Sequence, residues 1–520
     1  MSIIFVTNKY EIILIFCIFT NINIEIAMKK SLKVIFLLMI FGFGFQSCTD
    51  DDDKLLEDSG TVVQNFIWRG LNYYYLYQQN VPDLADGKFT NPQALNAFIT
   101  TKGSPENTFQ DFLYRPVSKF PDVAGVVKAT DRFSVLVDNY DVLENLFAGI
   151  RKTSGLVTSF KYKTGNSGPL IGFVRYVVTG SNASTKNVKR GDLFNAVNGV
   201  TITDSNLSTI FANDNFTLNF ANYNGGAFTS NGIDIAFTKT QITENPVLIN
   251  SILNVGTKKV AYLMYNSFTS NFNQELNNAF GQMKAQNATE LVLDLRYNGG
   301  GSVQTSAYLA SMITGQYNGQ VFAKEIWNPK IQSFYETTSP EQLVNLFTNN
   351  IDGVLANNLN LTKVYVLTTS RTASASELII NGLKPYITVV QIGTKTIGKN
   401  SGSITMYDSP NFGKSGRNSN HKYAMQPLTF KVANRDGFGD YQTGIVPNFV
   451  IEENIANLGI LGNANEPLLK KALDLIALNP RKSKETPFKV YENATIDFNE
   501  FENQMYRDKL PVGLEKATKN

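Results

Sequence analysis

Apolar residues between about positions 256 and 455 follow two alternating patterns, which predict strands and helices in turn. Continuous apolar runs at Val260–Tyr265, Glu290–Leu295, Lys363–Thr368 and Ile387–Ile392 are typical of buried strands. Between the first two runs, apolar side chains recur at the spacing of one helix face, at Phe272, Leu276, Ala279, Phe280 and Met283. This alternation predicts a mixed α/β core, which we place at residues 250–475.

The regions around this core have patterns of their own. Residues 60–150 carry apolar and aromatic side chains at helical spacing, as in Phe66–Tyr75, and predict a small helical N-terminal domain. Residues 158–242 contain short β-rich runs broken by Gly, Asn and Ser, which predict a domain of strands. Residues 476–520 are charged and polar, and we expect a tail with little function. The predicted fold class is multidomain α+β.

The β-rich region contains two segments that predict strands. Ile171–Val178 is a strand candidate, and Val188–Ile202 contains a hairpin-like Asn-Gly turn. The second segment resembles the Gly-Asp…Val-Asn-Gly stretch of PDZ domains. In PDZ domains an extended peptide adds to a sheet edge, and backbone amides hold its terminal carboxylate. The resemblance makes Gly168–Gly172 the carboxylate loop, although Pro169 has no amide to donate.

The N-terminus has the pattern of an export signal. Met28–Lys33 is basic, Val34–Phe45 is an apolar run too short to span a bilayer, and Cys48 follows a small residue. Residues 1–48 therefore resemble the leader and signal peptide of a bacterial lipoprotein that is lipidated at Cys48. The acidic run Asp50–Asp53 resembles a surface-export signal of Bacteroidetes. We expect an outer-membrane lipoprotein of the cell envelope, periplasmic or surface-exposed; the alternative is a plain secretory signal with an incidental cysteine.

The charge balance and the few cysteines and histidines limit the partners and the catalytic mechanisms that are open to this chain. Residues 1–47 contribute four lysines and two glutamates, so 43 of the 47 basic and 42 of the 44 acidic side chains remain beyond them. So balanced a surface argues against a nucleic-acid partner. Both cysteines, Cys17 and Cys48, precede the predicted domains, and His421 is the only histidine. A cysteine nucleophile, a thiolate metal cluster and a Ser-His-Asp triad therefore lack residues, and we expect no metal and no cofactor.

A serine and a lysine remain as candidates for catalysis. Ser374 lies in Thr372–Glu377 after the third predicted strand, and Lys399 follows the fourth. A serine hydroxyl needs a base, and lysine is a base only when burial lowers its pKa from about 10.4. Gly299–Gly301 and the amide of Ala375 could supply the donors that a tetrahedral intermediate requires.

Each of these features also has a purely structural explanation. Ser374–Glu377 fits a capping box at a helix start, and Gly299–Gly301 fits a turn. Lys399 could be a solvated side chain, and Lys395 is a rival base. Any one feature alone favours the structural explanation, but together they favour a hydrolase.

Three motifs carry a resemblance to the C-terminal processing, or tail-specific, serine peptidases. They are Asp294–Gly301, Thr372–Glu377 and Gly393–Lys399, and they follow a PDZ-like segment in the order typical of that family. The resemblance implies a ClpP/crotonase-like peptidase core. It also places the base after Ile397 and Gly398, which favours Lys399 over Lys395.

The resemblance also implies roles for individual residues. Ser374 would be the nucleophile, Lys399 the general base, and the amides of Gly300 and Ala375 the oxyanion hole. Many members carry a glutamine four residues after the lysine to orient it, whereas this chain has Ser403 there. Ser403 is therefore the candidate third member of the catalytic group.

These observations predict a serine endopeptidase that cleaves proteins or peptides in the cell envelope, guided by its PDZ-like domain. One alternative is a catalytically inactive scaffold that binds peptides. Another is a carrier of lipids or small molecules, because retinoid-binding proteins have a similar fold. A buried Lys399 within hydrogen-bond reach of Ser374 would favour the enzyme, and an apolar cavity in place of the cleft would favour the carrier.

Overall fold

The computed structural model describes residues 61–121, 127–478 and 503–510. The predicted leader, Cys48 and much of the predicted tail lie outside these residues. The chain divides into two units, Met1–Val62 and Val63–Asn520, and the elements below belong almost entirely to the second. Within the described ranges, no helix is long and apolar enough to cross a membrane.

Helices and strands alternate along the described residues. The α-helices are α1 (Val62–Tyr74), α2 (Pro92–Thr100), α3 (Pro105–Phe112), α4 (Tyr140–Phe147), α5 (Leu207–Ile210), α6 (Asn273–Ala285), α7 (Val303–Thr314), α8 (Pro329–Thr338), α9 (Ala375–Leu383) and α10 (Pro467–Ile476). The strands up to residue 255 are β1 (Val135–Val137), β2 (Ile150–Thr153), β3 (Leu156–Tyr162), β4 (Leu170–Val177), β5 (Leu193–Val197), β6 (Val200–Thr201), β7 (Asn215–Asn224), β8 (Ala227–Thr238), β9 (Thr240–Thr243) and β10 (Val247–Val255). The later strands are β11 (Lys258–Tyr265), β12 (Glu290–Asp294), β13 (Gly301–Ser302), β14 (Val321–Trp327), β15 (Val344–Leu346), β16 (Asn350–Ile351), β17 (Val354–Leu355), β18 (Lys363–Thr368), β19 (Thr388–Gly393), β20 (Ser401–Ser403), β21 (Met406–Tyr407), β22 (Ala424–Gln426), β23 (Leu428–Asn434), β24 (Phe449–Val450) and β25 (Met505–Tyr506).

The central sheet has six strands in the order β10-β11-β12-β18-β19-β24. β10 is antiparallel to β11, and all other neighbours are parallel. Side chains along β11 alternate between two cores: Ala261 and Leu263 face the larger one, and Val260 and Tyr262 face a second one shared with α10. Burial on both faces explains why these strands are continuous apolar runs in the sequence. The four strands predicted for this region are present as β11, β12, β18 and β19.

A second six-stranded sheet has the order β13-β25-β20-β23-β14-β15. Its strand β25 lies between β13 and β20, is parallel to both, and buries Met505 and Tyr506. The sequence predicts a polar tail here, and the structure places a buried two-residue strand within it. A strand of two residues is too short to leave a recognisable period in the sequence.

The helical region and the β-rich region relate to these sheets differently. Helices α1 and α3 bury Phe66, Leu71 and Phe109 in the same large core as the central sheet. Strands β3-β4-β5-β7-β8 instead form an antiparallel sheet around a core of its own, with β6 beside β5. Asn198 and Gly199 both have positive φ, 51° and 78°, as an Asn-Gly hairpin turn requires. The predicted multidomain α+β architecture is confirmed, and the domain boundaries stay predictions.

Candidate active site

Three loops meet at the carboxyl edge of the central sheet. They follow the parallel neighbours β12, β18 and β19, and they carry the three motifs of the sequence. Thr372 Oγ1 donates to the Leu295 carbonyl at 2.8 Å, and Ser376 Oγ donates to the Asn298 carbonyl at 3.0 Å. The Ile397 amide donates to the Thr372 carbonyl at 3.0 Å. The loop around residue 372 therefore holds the other two in place.

Ser374 is the N-cap residue of α9, and Glu377 accepts its amide as in the predicted capping box. Ser374 has φ 66° and ψ −118°, a region that side chains rarely adopt, and it is fully buried. Its Oγ has no hydrogen-bond partner among the described residues. The strained backbone and the hydroxyl without a partner distinguish this N-cap from an ordinary one, and a nucleophile at the start of a helix has both features.

Glu377 joins the two candidate catalytic loops through one buried carboxylate. Its Oε2 accepts the amides of Ser374 and Lys399, each at 2.8 Å. Its Oε1 accepts the Gly398 amide at 2.7 Å and the Thr396 hydroxyl. Burial raises the pKa of Glu377 to about 7, although these hydrogen bonds oppose the rise. The carboxylate therefore fixes the backbone of the candidate nucleophile relative to that of the candidate base.

Lys399 is fully buried, whereas its rival Lys395 is exposed. The Lys399 Nζ donates to Gln504 Oε1 at 3.0 Å and lies 4.6 Å from the centre of the Phe133 ring. Burial lowers the pKa of Lys399 to about 7, and the carboxylate of Asp131 offsets part of that effect. A large fraction of Lys399 is therefore neutral near pH 7, as a general base requires.

The predicted oxyanion donors lie beside Ser374, but one of the two amides already has a hydrogen-bond partner. A side chain at Gly300, which has φ 117°, would come within 2.6 Å of Ser374 Cβ and 3.1 Å of the Ala375 amide. The Gly300 amide, however, donates to Asn298 Oδ1 at 2.9 Å. Ala375 is the first residue of α9, where a helix leaves its amide without a partner inside the helix. The two donors are adjacent, but only Ala375 is available in this conformation.

Ser403 does not contact Lys399 in the structure. Its Oγ lies 2.9 Å from Gln426 Oε1 and 3.0 Å from the Met505 carbonyl, and it is buried. The hydroxyl is therefore engaged with β22 and β25 rather than with the candidate base.

The predicted carboxylate loop of the PDZ-like region has its amides occupied. The Gly168 amide donates to Asp204 at 3.0 Å, and the Leu170 amide donates to the Ile202 carbonyl at 2.9 Å. Pro169 between them has no amide. Three successive residues of this loop therefore offer no donor to a peptide carboxylate in this conformation.

A cavity of about 730 Å³ separates the β-rich sheet from the glycine loop. It reaches Gly299 and Gly300 at one end, and its wall is strongly charged. Its cationic lining consists of Arg151, Lys152, Lys161, Arg175, Lys239 and Arg371, and its acidic lining of Glu244, Glu452 and Glu453. Apolar side chains, among them Phe173, Phe216 and Leu218, line the rest of the wall, as in many ligand pockets.

The described residues were also compared with the requirements of a metal site and of a catalytic histidine. No group of three or more His, Cys, Asp or Glu side chains is placed there to hold a metal ion. His421 lies 3.1 Å from Asp408, and its Nδ1 accepts the Tyr423 amide at 3.1 Å. Neither of these two hydrogen-bond partners of His421 is Ser374.

The sequence motifs assign no role to three residues that the structure places at the site. Glu377 is visible only as the last residue of a capping box, and Asn298 only as part of a loop. Their roles depend on contacts between separate loops, which spacing along the chain does not reveal. Gln504 lies 105 residues beyond Lys399 and has no local signal.

Two family models match the chain. The model of peptidase family S41 matches residues 259–449, and that of the peptidase S41 N-terminal domain matches residues 62–135. Together they cover about half of the chain and contain Ser374, Lys399 and Gly300. The chain belongs to peptidase family S41, and the resemblance to the C-terminal processing peptidases is confirmed.

Individual relatives agree with this assignment. The chain is 25% identical over 243 residues to a carboxyl-terminal-processing protease of Picosynechococcus, covering 46% of this chain and 51% of that protein. It is 27% identical over 179 residues to a chloroplastic C-terminal processing peptidase of Tetradesmus obliquus, covering 33% and 34%. The match thus spans about half or less of these curated relatives. A crystal structure assigned to the S41 proteases, from Bacteroides fragilis, is similar at 26% identity and a TM-score of 0.58, over 79% of this chain and 97% of that one.

Proposed function

We propose that the protein is a serine endopeptidase of the C-terminal processing type, with Ser374 as nucleophile and Lys399 as general base. The observation that carries the proposal is the buried Lys399 amine, whose pKa is lowered to about 7 by burial. A scaffold has no need for such an amine, because burying it costs stability and contributes nothing to peptide binding. Membership of family S41 supports the same conclusion.

The proposed reaction runs through a covalent ester of Ser374. Lys399 Nζ accepts the hydroxyl proton as Ser374 Oγ attacks the carbonyl carbon of the peptide bond. The negative oxygen is held by the Ala375 and Gly300 amides, and Lys399 returns the proton to the leaving amine as the C–N bond breaks. Water that is deprotonated by Lys399 then attacks the ester, which releases the new C-terminus and regenerates the serine hydroxyl.

The described conformation is closed, and the reaction requires two local changes. The Gly300 amide has to leave Asn298 Oδ1 to become an oxyanion donor. The Lys399 amine has to form a hydrogen bond with Ser374 Oγ, which has no partner here. Each oxyanion donor contributes about 3 kcal/mol to such reactions, so substrate that turns the Gly300 amide would raise the rate substantially.

The same closed conformation favours a second candidate, the catalytically inactive peptide-binding scaffold. Ser374 is fully buried, and the Gly300 amide is already satisfied. A scaffold would keep this arrangement when peptide binds, whereas a peptidase would abandon it.

Hydrolysis by matched variants decides between the two candidates. The mature protein is tested on unfolded protein and on peptides with free C-termini, together with Ser374→Ala, Lys399→Ala and, as the control, Lys395→Ala at an exposed lysine. We expect activity in the wild type and the control and none in the other two. Peptide binding without cleavage in all four proteins would establish the scaffold.

The proposed substrates are proteins or peptides that reach Ser374 through the charged cavity. Arg175 and Lys161, on the β-rich sheet, face the same cavity as Gly300. We therefore propose that the PDZ-like region guides substrate through this wall rather than through the Gly168 loop. Removing one of the six cationic charges of the cavity with Arg175→Gln should raise KM for tailed peptides and leave kcat nearly unchanged.

We further propose that the protein is a lipoprotein of the cell envelope, anchored through Cys48. The support is the leader sequence, whose basic segment, short apolar run and cysteine match such a signal. Labelling of the wild type, but not of Cys48→Ala, by a fatty-acid analogue in cells would test this. Labelling of both proteins, or of neither, would contradict it.

A further inference from the structure

The active site contains a contact that the family motifs do not predict. Lys399 Nζ donates to Gln504 Oε1 at 3.0 Å, and Gln504 is only 3% exposed. The other end of the same amide, Nε2, donates to the Phe133 carbonyl at 3.2 Å. Because a carbonyl only accepts, that second bond turns Oε1 toward the lysine. The amide is thus held at both ends and presents an acceptor to the candidate base.

The predicted third member of the catalytic group, Ser403, lies against the strand that follows Gln504. Its hydroxyl lies 3.0 Å from the Met505 carbonyl, and the hydrogen bond of Lys399 Nζ goes to Gln504. The Arg507 amide in turn donates to the Ser403 carbonyl at 3.1 Å. Ser403 therefore binds the strand that delivers Gln504.

That strand is anchored by contacts that do not involve Gln504. Met505 and Tyr506 pair with β13, and Asp508 accepts the Ser302 hydroxyl. The Tyr506 ring stacks on Phe147 with centres 4.0 Å apart, and Arg507 lies 3.1 Å from Glu325. Residues 505–508 would therefore stay in place if the Gln504 side chain were changed.

A neutral partner suits a lysine that has to act as a base. A carboxylate at this distance would stabilise the ammonium and raise the lysine pKa. An amide oxygen instead fixes the direction of Nζ without adding charge. Gln504 can therefore orient Lys399 and leave the effect of burial intact.

We infer that Gln504 is the positioning residue of Lys399, supplied by the C-terminal segment in place of the predicted Ser403. The inference rests on the proposed function, because it assigns Gln504 a role in that reaction. It makes Gln504 part of the active site of a peptidase whose core motifs end about a hundred residues earlier, and residues 505–508 the anchor of that side chain. The C-terminal segment then contributes a side chain to the active site, although the sequence predicts only a polar tail there.

The test uses the mature full-length protein with Gln504→Ala, the isosteric Gln504→Glu and, as the control, Arg507→Ala. Gln504→Ala should lower kcat by about 100-fold with little change in KM, because the base is no longer held in line. Gln504→Glu should move the midpoint of the kcat–pH profile upward by about 1 to 3 pH units. Arg507→Ala loosens the same strand, so it should lower the melting temperature and leave that midpoint unchanged.

A second measurement does not depend on hydrolysis. In protein labelled with ¹³C at the lysine Cε, the Lys399 resonance, assigned with Lys399→Met, should titrate at higher pH in Gln504→Glu than in the wild type. An unchanged titration, or full kcat in Gln504→Ala, would overturn the inference. If the wild type cleaves nothing, the proposed function fails, and the resonance alone still decides whether Gln504 controls Lys399.

Discussion

Two fully buried cations lie near the carboxyl edge of the central sheet, and their surroundings treat them in opposite ways. Arg296 contacts the carboxylates of Asp294 at 2.8 Å, Glu466 at 2.6 Å and Glu453 at 3.2 Å. Burial opposes its charge, but these carboxylates outweigh burial and raise the pKa of Arg296. Lys399 contacts a neutral amide and an aromatic ring, and the nearby carboxylates of Asp131 and Glu377 offset burial only in part, so burial lowers its pKa to about 7.

The comparison shows that the partners, rather than burial, decide what a buried cation does. Arg296 is a permanent charge that ties the end of β12 to Glu466, the residue that caps α10. Arg190 from the β-rich region shares Glu453 with it and extends the network. The ion pairs of Arg296 and Arg190 hold together the segments that carry the active-site loops. Lys399, in contrast, can gain and lose a proton at the site between those loops.

The largest expected effect is the loss of the base. Lys399→Met keeps the side-chain volume and removes the amine, so kcat should fall at least about 10³-fold. The variant should nevertheless fold and unfold at no lower temperature than the wild type at pH 6, because a buried amine is gone. Rates on a tailed peptide and thermal unfolding check the two halves of this prediction. Substantial activity in Lys399→Met would mean that Lys399 is not the base, and the contrast between a catalytic lysine and a structural Arg296 would fail.

The same substitution at the other cation should have the opposite outcome. Arg296→Met leaves buried carboxylates without their partner and should lower the free energy of unfolding by about 3–5 kcal/mol. Urea unfolding measures the change, with Arg435→Met at an exposed arginine as the control. Stability equal to that of the control would mean that the ion pairs of Arg296 do not stabilise the fold.

A pH series should sharpen the contrast. The ordinary lysine pKa of 10.5 applies to the unfolded chain, and the folded value for Lys399 is about 7. Between these values the unfolded chain binds a proton that the folded protein does not, so the Lys399 contribution to stability improves as pH rises. Below pH 7 the folded protein carries the buried ammonium at full cost. Lys399→Met should therefore gain most over the wild type below pH 7 and lose that gain toward pH 10, in urea unfolding at each pH.

Activity should follow the same titration. The wild-type kcat should rise with pH through a midpoint near 7, where Lys399 loses its proton and the interacting Glu377 carboxyl titrates with it. Lys395→Ala serves as the control, because its lysine is exposed and should leave the midpoint unchanged. A kcat that falls across this range would argue against a neutral lysine as the base.

Local pattern was sufficient for the central sheet and not for the contacts that complete the site. Runs such as Lys363–Thr368 are long and apolar enough to predict their strands, and the loops after parallel neighbours necessarily share one edge. The bridge made by Glu377 and the approach of Gln504 depend on how separate segments pack, which no spacing encodes. Ser403 illustrates the limit, because its place in the motif suggested a contact with Lys399 that the fold gives to Gln504.

The smallest expected effect belongs to Ser403 and tests which neutral partner serves Lys399. Ser403→Ala removes a hydroxyl that lies near Gln426 and the Met505 carbonyl, so it should cost about 1 kcal/mol of stability. Because that hydroxyl does not contact Lys399, kcat should stay within about threefold of the wild type, and its pH midpoint should not move. A steady-state pH profile of Ser403→Ala beside Thr405→Ala, which removes a neighbouring hydroxyl bonded to the same Gln426, measures this. A shifted midpoint in Ser403→Ala alone would return the third catalytic position to Ser403 and leave the Lys399 environment dependent on β20 as well as on β25.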